Sequence, residues 1–269
     1  MKKLIKYFLF LKFSIIHPIN GIEILKELVE VKRNLKNEHY KNIQLETKEE
    51  IFQKQFPGSN FFHIYNEELN GLQNILKKKY DEIKIKKFPS IERPYDNQYS
   101  VNNEFAILFY MISREIKPKI IIETGVAYGH SSSYILEAMK KNNYGKLYSI
   151  DYVFSPWQTK EKIGMIIPKN LRDRWHFEFG PSSKKLKKLL EKLGEIDIFI
   201  HDSLHTYQNM KFEFNTAWPY IKKDGFLFSD DVSENSAFME FCNENNLSPL
   251  FIEFEKNNSS IFGGIVKKT

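Results

Sequence analysis

From residue 104 onward, short apolar runs alternate with amphipathic stretches. Glu104 to Glu115 has apolar positions at helical spacing, and Lys119 to Glu123 is a short apolar strand ending in a carboxylate. A helix is predicted over 131–141. Strands at 146–151, 174–179, 196–202 and 225–230 then alternate with helices at 183–193, 206–221 and 235–246. Strands that are apolar throughout need cover on both faces, so the series predicts an α/β, doubly wound, mostly parallel sheet. Two last strands, Leu250 to Glu255 and Ile261 to Val266, are separated only by Lys256 to Ser260. That link is too short to cross a sheet, so this pair must be an antiparallel hairpin.

Residues 1–100 follow a different pattern. They read as helical pieces, Ile22 to Val31 and Glu67 to Ile85 among them, with no strand–helix alternation. Pro57-Gly58-Ser59-Asn60 is a break, and Phe88-Pro89 and Arg93-Pro94 mark an extended linker. The chain therefore divides into a mainly helical N-terminal extension, 1–100, serving as lid, oligomerisation or docking region, and a domain over 101–269. Leu4 to Ile16 is apolar but interrupted by Lys6 and Lys12, too short to span a bilayer, and not followed by a small-residue cleavage site. On a helical wheel Lys2, Lys3, Lys6 and Lys12 share one half, and Leu4, Phe8, Leu11 and Ile15 the other. Docking on its own domain or on a second subunit is the commoner use of such a helix. Membrane-surface contact is the less favoured one. A cytoplasmic homo-oligomer is expected, peripheral to the membrane only under that second alternative.

Charge and cysteine content narrow the classes. The chain of 269 residues carries a net charge of +6, with 18 basic and 13 acidic residues in the first hundred and 22 and 21 in the rest. Arg33, Arg93, Arg114, Arg172 and Arg174 are the only arginines, and scattered lysines without guanidinium forks are poorly suited to reading bases. A nucleic-acid partner is not expected. Cys242 is the single cysteine, which excludes an intrachain disulfide or a thiolate metal cluster and suits a packed thiol.

In parallel sheets of this kind ligands sit beyond the carboxyl ends of the strands. The first strand of the series ends in Glu123-Thr124-Gly125-Val126-Ala127-Tyr128-Gly129, followed by His130 and three serines that start the next helix and are expected to cap it. The glycines are spaced G-x-x-x-G, without the G-x-G-x-x-G of a diphosphate grip or the lysine of a P-loop; alone, this is no more than a glycine turn. The second strand ends in Asp151, placed to accept from both hydroxyls of a ribose. Together they indicate a nucleoside ligand and favour S-adenosylmethionine over NAD.

Two later strands deliver Asp202 and the pair Asp230 and Asp231 to the same edge. Converging carboxylates repel unless a cation lies among them, and an oxygen-only donor set favours Mg2+, with Mn2+ or Ca2+ as alternatives. Taken singly, Asp202 reads equally as a helix N-cap and the pair as a solvated turn. His205 lies about one helical turn beyond Asp202, where a neutral imidazole is suited to take a proton near neutral pH. Spacing alone leaves it as readily a capping or packing residue. His201, inside the strand end, reads as structural.

These residues resemble a known family. ETGVAYGHSSSYIL, LYSIDY, IPKNLRDRW, IDIFIHDSLHTYQNM and GFLFSDDV, in that order between Ile121 and about Phe241, are similar to class I S-adenosylmethionine-dependent methyltransferases, in the branch with macrocin O-methyltransferase and the cephalosporin-hydroxylase-like proteins. The resemblance implies a Rossmann-like, seven-stranded sheet with a C-terminal hairpin. It implies that Glu123, Gly125 and Gly129 line the methionine side of the cofactor, that Asp151 holds its ribose, and that Gly180, Pro181 and Ser182 border its adenine. Val126, Ala127, Tyr128, Ser131, Ser132, Tyr152 and Asp202 complete the expected cofactor set. It also implies that Asp202 is both metal ligand and, with His205, part of a catalytic D-x-x-H element, and that Asp230 and Asp231 are the remaining metal ligands; some relatives have Glu-Asp there, so Asp230 has the shorter reach.

The expected reaction is O-methylation of a small-molecule hydroxyl, such as that of a sugar or glycoside. The loop from Tyr152 to Asp173, with Trp157 and Met165, is long enough to be a lid or an ordinary insertion. The aromatics of 56–65 and Tyr95 to Tyr99 can wall an acceptor pocket or pack a core. The alternatives are a metal-independent methyltransferase and a catalytically silent cofactor-binding scaffold docked to a membrane or synthase complex; the loop spacing disfavours a nicotinamide dehydrogenase.

Overall fold

The computed structural model describes residues 2–18, 21–22, 24–26, 29, 40, 43–59, 65–87, 89–90, 92–96, 100–153, 158–256 and 259–269. The elements in chain order are α1 (Lys2–Ile16), β1 (Leu45–Glu46), α2 (Lys48–Gln55), α3 (Tyr65–Lys84), α4 (Asn103–Ile116), β2 (Ile120–Thr124), α5 (His130–Asn142), β3 (Lys146–Asp151), β4 (Trp175–Phe179), α6 (Ser182–Leu193), β5 (Ile196–His201), α7 (Tyr207–Ala217), β6 (Ile221–Ser229), α8 (Ala237–Glu244), β7 (Leu250–Lys256) and β8 (Ser259–Lys267). The described residues among 21–29 are helical. Much of the Ile22 to Val31 stretch lies outside the described residues, as do Trp157, Phe61, Phe62 and Tyr99.

The eight strands form one sheet in the order β1-β7-β8-β6-β5-β2-β3-β4. β8 is antiparallel to β6 and β7, and the other pairings are parallel. From β2 the chain winds outward to β3 and β4, then returns to β5 on the opposite side of β2 and continues to β6. The reversal between β2 and β5 opens a crevice at their carboxyl ends, where such sheets bind ligands.

Period-two alternation sorts the strand residues onto two faces. Ile121, Ile198, Ile200, Phe226 and Phe228 join one buried cluster with α4 and α5, while Ile122, Phe199 and Leu227 join another with α6, α7 and α8. Each fully buried side chain of this size is worth about 1.5–3 kcal/mol, which fixes the register because a one-residue slip would exchange the faces. The helix ends are equally local in origin. The Asn102 side chain accepts from the Glu104 N–H to start α4, and Lys117, in the left-handed region just before Pro118, stops it.

The sheet has one strand more than the seven expected. Two-residue β1 pairs with β7 (Leu45 with Phe251, Glu46 with Ile252), so the N-terminal region does contribute a strand. It also contributes to the core, since Ile51, Phe52, Leu69, Leu72 and Leu76 of α2 and α3 share the cluster of Phe105 and Phe109. The change of pattern near residue 100 does not separate two cores. Glu68 of α3 takes a two-pronged bond from Arg114 of α4, both at 2.9 Å.

Other expectations are corrected. α7 ends at Ala217, and β6 begins at Ile221, running through the polar Lys222 and Lys223. The far half of the 152–173 loop is not a lid. Ile163, Ile166, Ile167 and Leu171 are buried, and Gly164 and Ile166 donate backbone bonds to Ala127 and Tyr128 (2.8 and 3.0 Å). Cys242 is buried, as a packed thiol should be.

Candidate active site

The bend after β2 is shaped by contact with the end of β5. Gly125 has φ +85°, and a Cβ there would lie 1.8 Å from the Asp202 carbonyl oxygen, so the backbones pass too closely for any side chain. Asp202 N–H donates to the Thr124 carbonyl at 2.8 Å, locking the two strand ends together. Gly129 has φ +96°, and its Cβ would strike Ile167. Between the glycines, Ala127 also sits in the left-handed region, at φ 45°.

That strained turn is held by Asp151. Its Oδ2 accepts from the backbone N–H groups of Val126 and Ala127, both at 2.9 Å, and its Oδ1 from Tyr152 N–H at 2.6 Å. Burial nevertheless pushes this carboxyl upward against those three bonds. Asp151, expected at a ribose, has a second task in the fold, bracing the glycine bend, and it also lines the cavity.

Glu123 lies below the bend, fully buried, and does not line the cavity. Its carboxylate accepts from Ser149 Oγ at 2.6 Å, from Ser131 Oγ at 3.2 Å, and from Ser132 Oγ. The serines therefore do not cap α5. Gly129 is the N-cap and makes no side-chain bond, while Ser133 Oγ turns back to the Gly129 carbonyl at 2.6 Å. Burial outweighs the three hydroxyl bonds and lifts Glu123 to about 7. Tyr128 also faces away from the cavity, its hydroxyl donating to the Tyr95 carbonyl (2.6 Å) and accepting from Tyr95 N–H (3.0 Å).

The acids come together by register. β5 and β6 pair His201 with Ser229, so the following residues, Asp202 and Asp230, leave the sheet side by side. Asp231 takes φ 47°, a left-handed turn that brings its Oδ2 to 4.0 Å from His205 Nδ1. His205 Nε2 is 4.0 Å from Asp202 Oδ1. The link between Asp202 and His205 is a loop and not a helical turn, because α7 starts only at Tyr207 with Thr206 as its cap. Asp202 is therefore not an N-cap. Burial and then the neighbouring Asp230 and Asp231 push its carboxyl well above the usual carboxylate range.

Acids this close are stable as anions only with a compensating positive charge, and the donor set is suited to a hard divalent cation. Asp202, His205 and Asp230 each offer a ligand atom, and these atoms lie within 4.8 Å of one another. This grouping includes His205, expected from the sequence to move a proton, and leaves out Asp231, expected as a ligand.

One cavity of about 260 Å³ joins these parts. Gly125, Val126, Ala127, Asp151, Tyr152, Gly180, Pro181, Ser182, Asp202, His205, Asp230 and Asp231 line it, with Tyr95, Ser100, Ser203, Leu204 and Asn209. Of the expected set, Glu123, Tyr128, Gly129, Ser131 and Ser132 lie outside the lining.

Sequence reasoning missed Glu213. On α7 it reads as an ordinary surface charge, yet it is fully buried behind the cavity. It accepts from Thr124 Oγ1 (2.5 Å), Ser203 Oγ (2.8 Å) and Asn209 Nδ2 (3.2 Å) and pairs with His201 Nδ1 at 2.6 Å. Burial raises its carboxyl, but His201 and the hydroxyls outweigh burial, and the group ends below its ordinary value. One carboxylate thus ties the ends of β2 and β5 to two lining residues. His201 is structural, as expected, and its ring meets His205 edge to face at 5.2 Å.

Residues 122–232 match the family model of a methyltransferase domain. No curated protein sequence matches the chain. Among solved structures, an O-methyltransferase from Bacillus cereus in complex with SAH is similar over 72% of this chain and 91% of its own, with TM-score 0.57 and 13% identity. The O-methyltransferase TomG from Streptomyces achromogenes, involved in tomaymycin synthesis and in complex with SAM, is similar over 64% and 83%, with TM-score 0.54 and 13% identity. The SAH-bound methyltransferase PaMTH1 of Podospora anserina gives 72% and 88%, 0.53 and 13%. The chain thus carries a methyltransferase domain on the fold of S-adenosylmethionine-dependent methyltransferases.

Proposed function

We propose that this protein transfers a methyl group from S-adenosylmethionine to a hydroxyl of a small molecule, with a divalent cation, Mg2+ in the first instance, bound beside the cofactor. The observation that carries the proposal is the shared cavity: a glycine bend and Asp151 at one end, and Asp202, His205, Asp230 and Asp231 at the other. The O-methyltransferase names of the structural neighbours support the same chemistry.

In this reading Gly125 to Ala127 give the cofactor a close backbone surface, Asp151 accepts from its ribose, and the Gly180-Pro181-Ser182 turn borders its base. Asp202, Asp230 and Asp231 would hold the cation, whose charge would orient and acidify the acceptor hydroxyl. His205, between Asp202 and Asp231, takes the hydroxyl proton as the oxygen attacks the methyl carbon and the carbon–sulfur bond breaks. Positioning in a site shielded from water supplies most of the rate. The acceptor class proposed is a sugar or glycoside hydroxyl, in line with the resemblance to the macrocin O-methyltransferase branch.

Incubation with methyl-labelled S-adenosylmethionine and a small-molecule extract, with mass spectrometry of the products, tests the proposal. Label in an ether-linked methyl group, lost in excess chelator and restored by Mg2+, is the expected result. Transfer undiminished by chelator would remove the cation. Cofactor binding without transfer to any acceptor would make the protein a silent scaffold.

A further inference from the structure

α1 turns an apolar stripe to solvent. Phe8, Leu11 and Ile15, at i, i+3 and i+7, are 68%, 60% and 81% exposed. Beyond the bend, Ile22, Leu25 and Val29 repeat the spacing and are also exposed. The bend is closely packed on its inner side, where a Cβ on Gly21 would stand 2.5 Å from Ser14 Oγ, so packing between the two segments does not cover either stripe. Contiguous exposed apolar residues of this kind mark a surface that is covered in use.

The charges indicate what covers it. Residues 1–22 contain Lys2, Lys3, Lys6 and Lys12 and no acid; Glu23 is the first. Lys2 and Lys3 lie in the first turn of α1, where positive charge opposes the helix dipole, so helix stability does not account for them. A second copy packed on the same stripe would bring another set of lysines, with no acid from its own residues 1–22 to face them. Anionic headgroups over hydrocarbon satisfy both faces at once. Among the described residues no helix is long and apolar enough to cross a membrane.

We propose that α1 lies in the plane of an anionic bilayer surface, with Phe8, Leu11 and Ile15 inserted and the lysines at the headgroups, holding the methyltransferase domain at the membrane. The test is co-sedimentation of the full chain with phosphatidylcholine vesicles, with and without phosphatidylserine, and uses no methyl-transfer readout. Binding to the anionic vesicles, weak binding to the neutral ones and a fall with added salt are expected. The double variant Phe8→Asp and Leu11→Asp should lower partitioning by at least about tenfold with an unchanged melting temperature. Replacing the four lysines by glutamine should abolish the preference for anionic lipid. Failure to sediment with either vesicle, or equal binding to both, overturns the proposal. A vesicle-inert protein that elutes as a dimer, and as a monomer once Phe8 and Leu11 are replaced, would assign the stripe to self-association instead.

Discussion

Two layers of carboxylates sit at the carboxyl edge of this sheet, one buried beneath it and one facing the cavity, and they are treated in opposite ways. In the lower layer Glu123 and Glu213 are fully buried, and each is surrounded by donors: three serine hydroxyls for the first; a threonine, a serine, an asparagine and a histidine for the second. In the upper layer Asp202, Asp230 and Asp231 face a cavity and one another, with His205 between them. A buried acid that is saturated by protein donors has a structural task. Acids that are grouped with like charges at a cavity are poised to take up a cation or a proton. The contrast predicts that changes in the upper layer cost activity, and changes in the lower layer cost stability.

The largest expected effect is on the upper layer. Asp202→Ala should lower methyl transfer by about 10³–10⁴-fold while leaving the melting temperature within a few degrees of the parent, because relief of like-charge repulsion offsets lost contacts. Turnover and thermal unfolding measured on the same preparation check this. A variant that unfolds yet keeps its specific activity would invert the layers. Glu213→Leu should show the reverse: a loss of about 3–5 kcal/mol of stability, since it strands a buried imidazole and three polar partners. Urea unfolding reads this directly. Glu213→Gln, which keeps the shape and a carbonyl acceptor but not the charge, should lose less and so separate lost charge from lost bonds.

The lower layer also predicts two pH dependences of opposite sign. Glu123 is raised in the fold to about 7 from 4.5, so its contribution is complete below about pH 4.5 and is lost as pH rises through 7, by up to about 3 kcal/mol. Glu213 is lowered, so its contribution is present above the ordinary glutamate value and is lost as pH falls below it. Urea midpoints across about pH 2–8 should lose their fall between about pH 4.5 and 7 in Glu123→Gln, and their fall below about pH 4.5 in Glu213→Gln. Identical profiles in the two variants would mean that the burial and pairing arguments have been assigned to the wrong residues.

The upper layer was legible in the sequence and the lower one was not, for physical reasons. Gly125, Asp151, Asp202 and Asp230 follow directly from strand ends, and parallel register alone brings strand ends together. Glu213 occupies a helical position whose burial depends on where α7 lands, and no local pattern reports that. The serines after Gly129 read as caps because the sequence does not reveal that Glu123 lies beneath them. β1 is too short to carry a period of two, and it is recruited by pairing with β7, far away in sequence. The stretch Ile163 to Leu171 reads as a loop because it lacks a helical or strand period, yet Ile163, Ile166, Ile167 and Leu171 pack in one buried cluster with α5, Leu171 from the 3-10 turn Lys169–Arg174. The N-terminal stripe is legible as an amphipathic helix, but its partner is not, because partner choice is not encoded in periodicity.

Asp151 tests the comparison most finely because it belongs to both layers. It is saturated like the lower acids, by the N–H groups of Val126, Ala127 and Tyr152, and it also lines the cavity like the upper ones. Asp151→Asn keeps the shape but turns an amide toward donors that need an acceptor. A stability loss of about 1–2 kcal/mol is expected from the strained turn. S-adenosylmethionine affinity should fall about tenfold as a charged acceptor to the ribose is lost. Thermal melts and titration calorimetry on one sample give both numbers. If stability falls with affinity unchanged, Asp151 is a brace and nothing more, and the nucleoside end of the cavity must be held by the backbone of Gly125 to Ala127 alone.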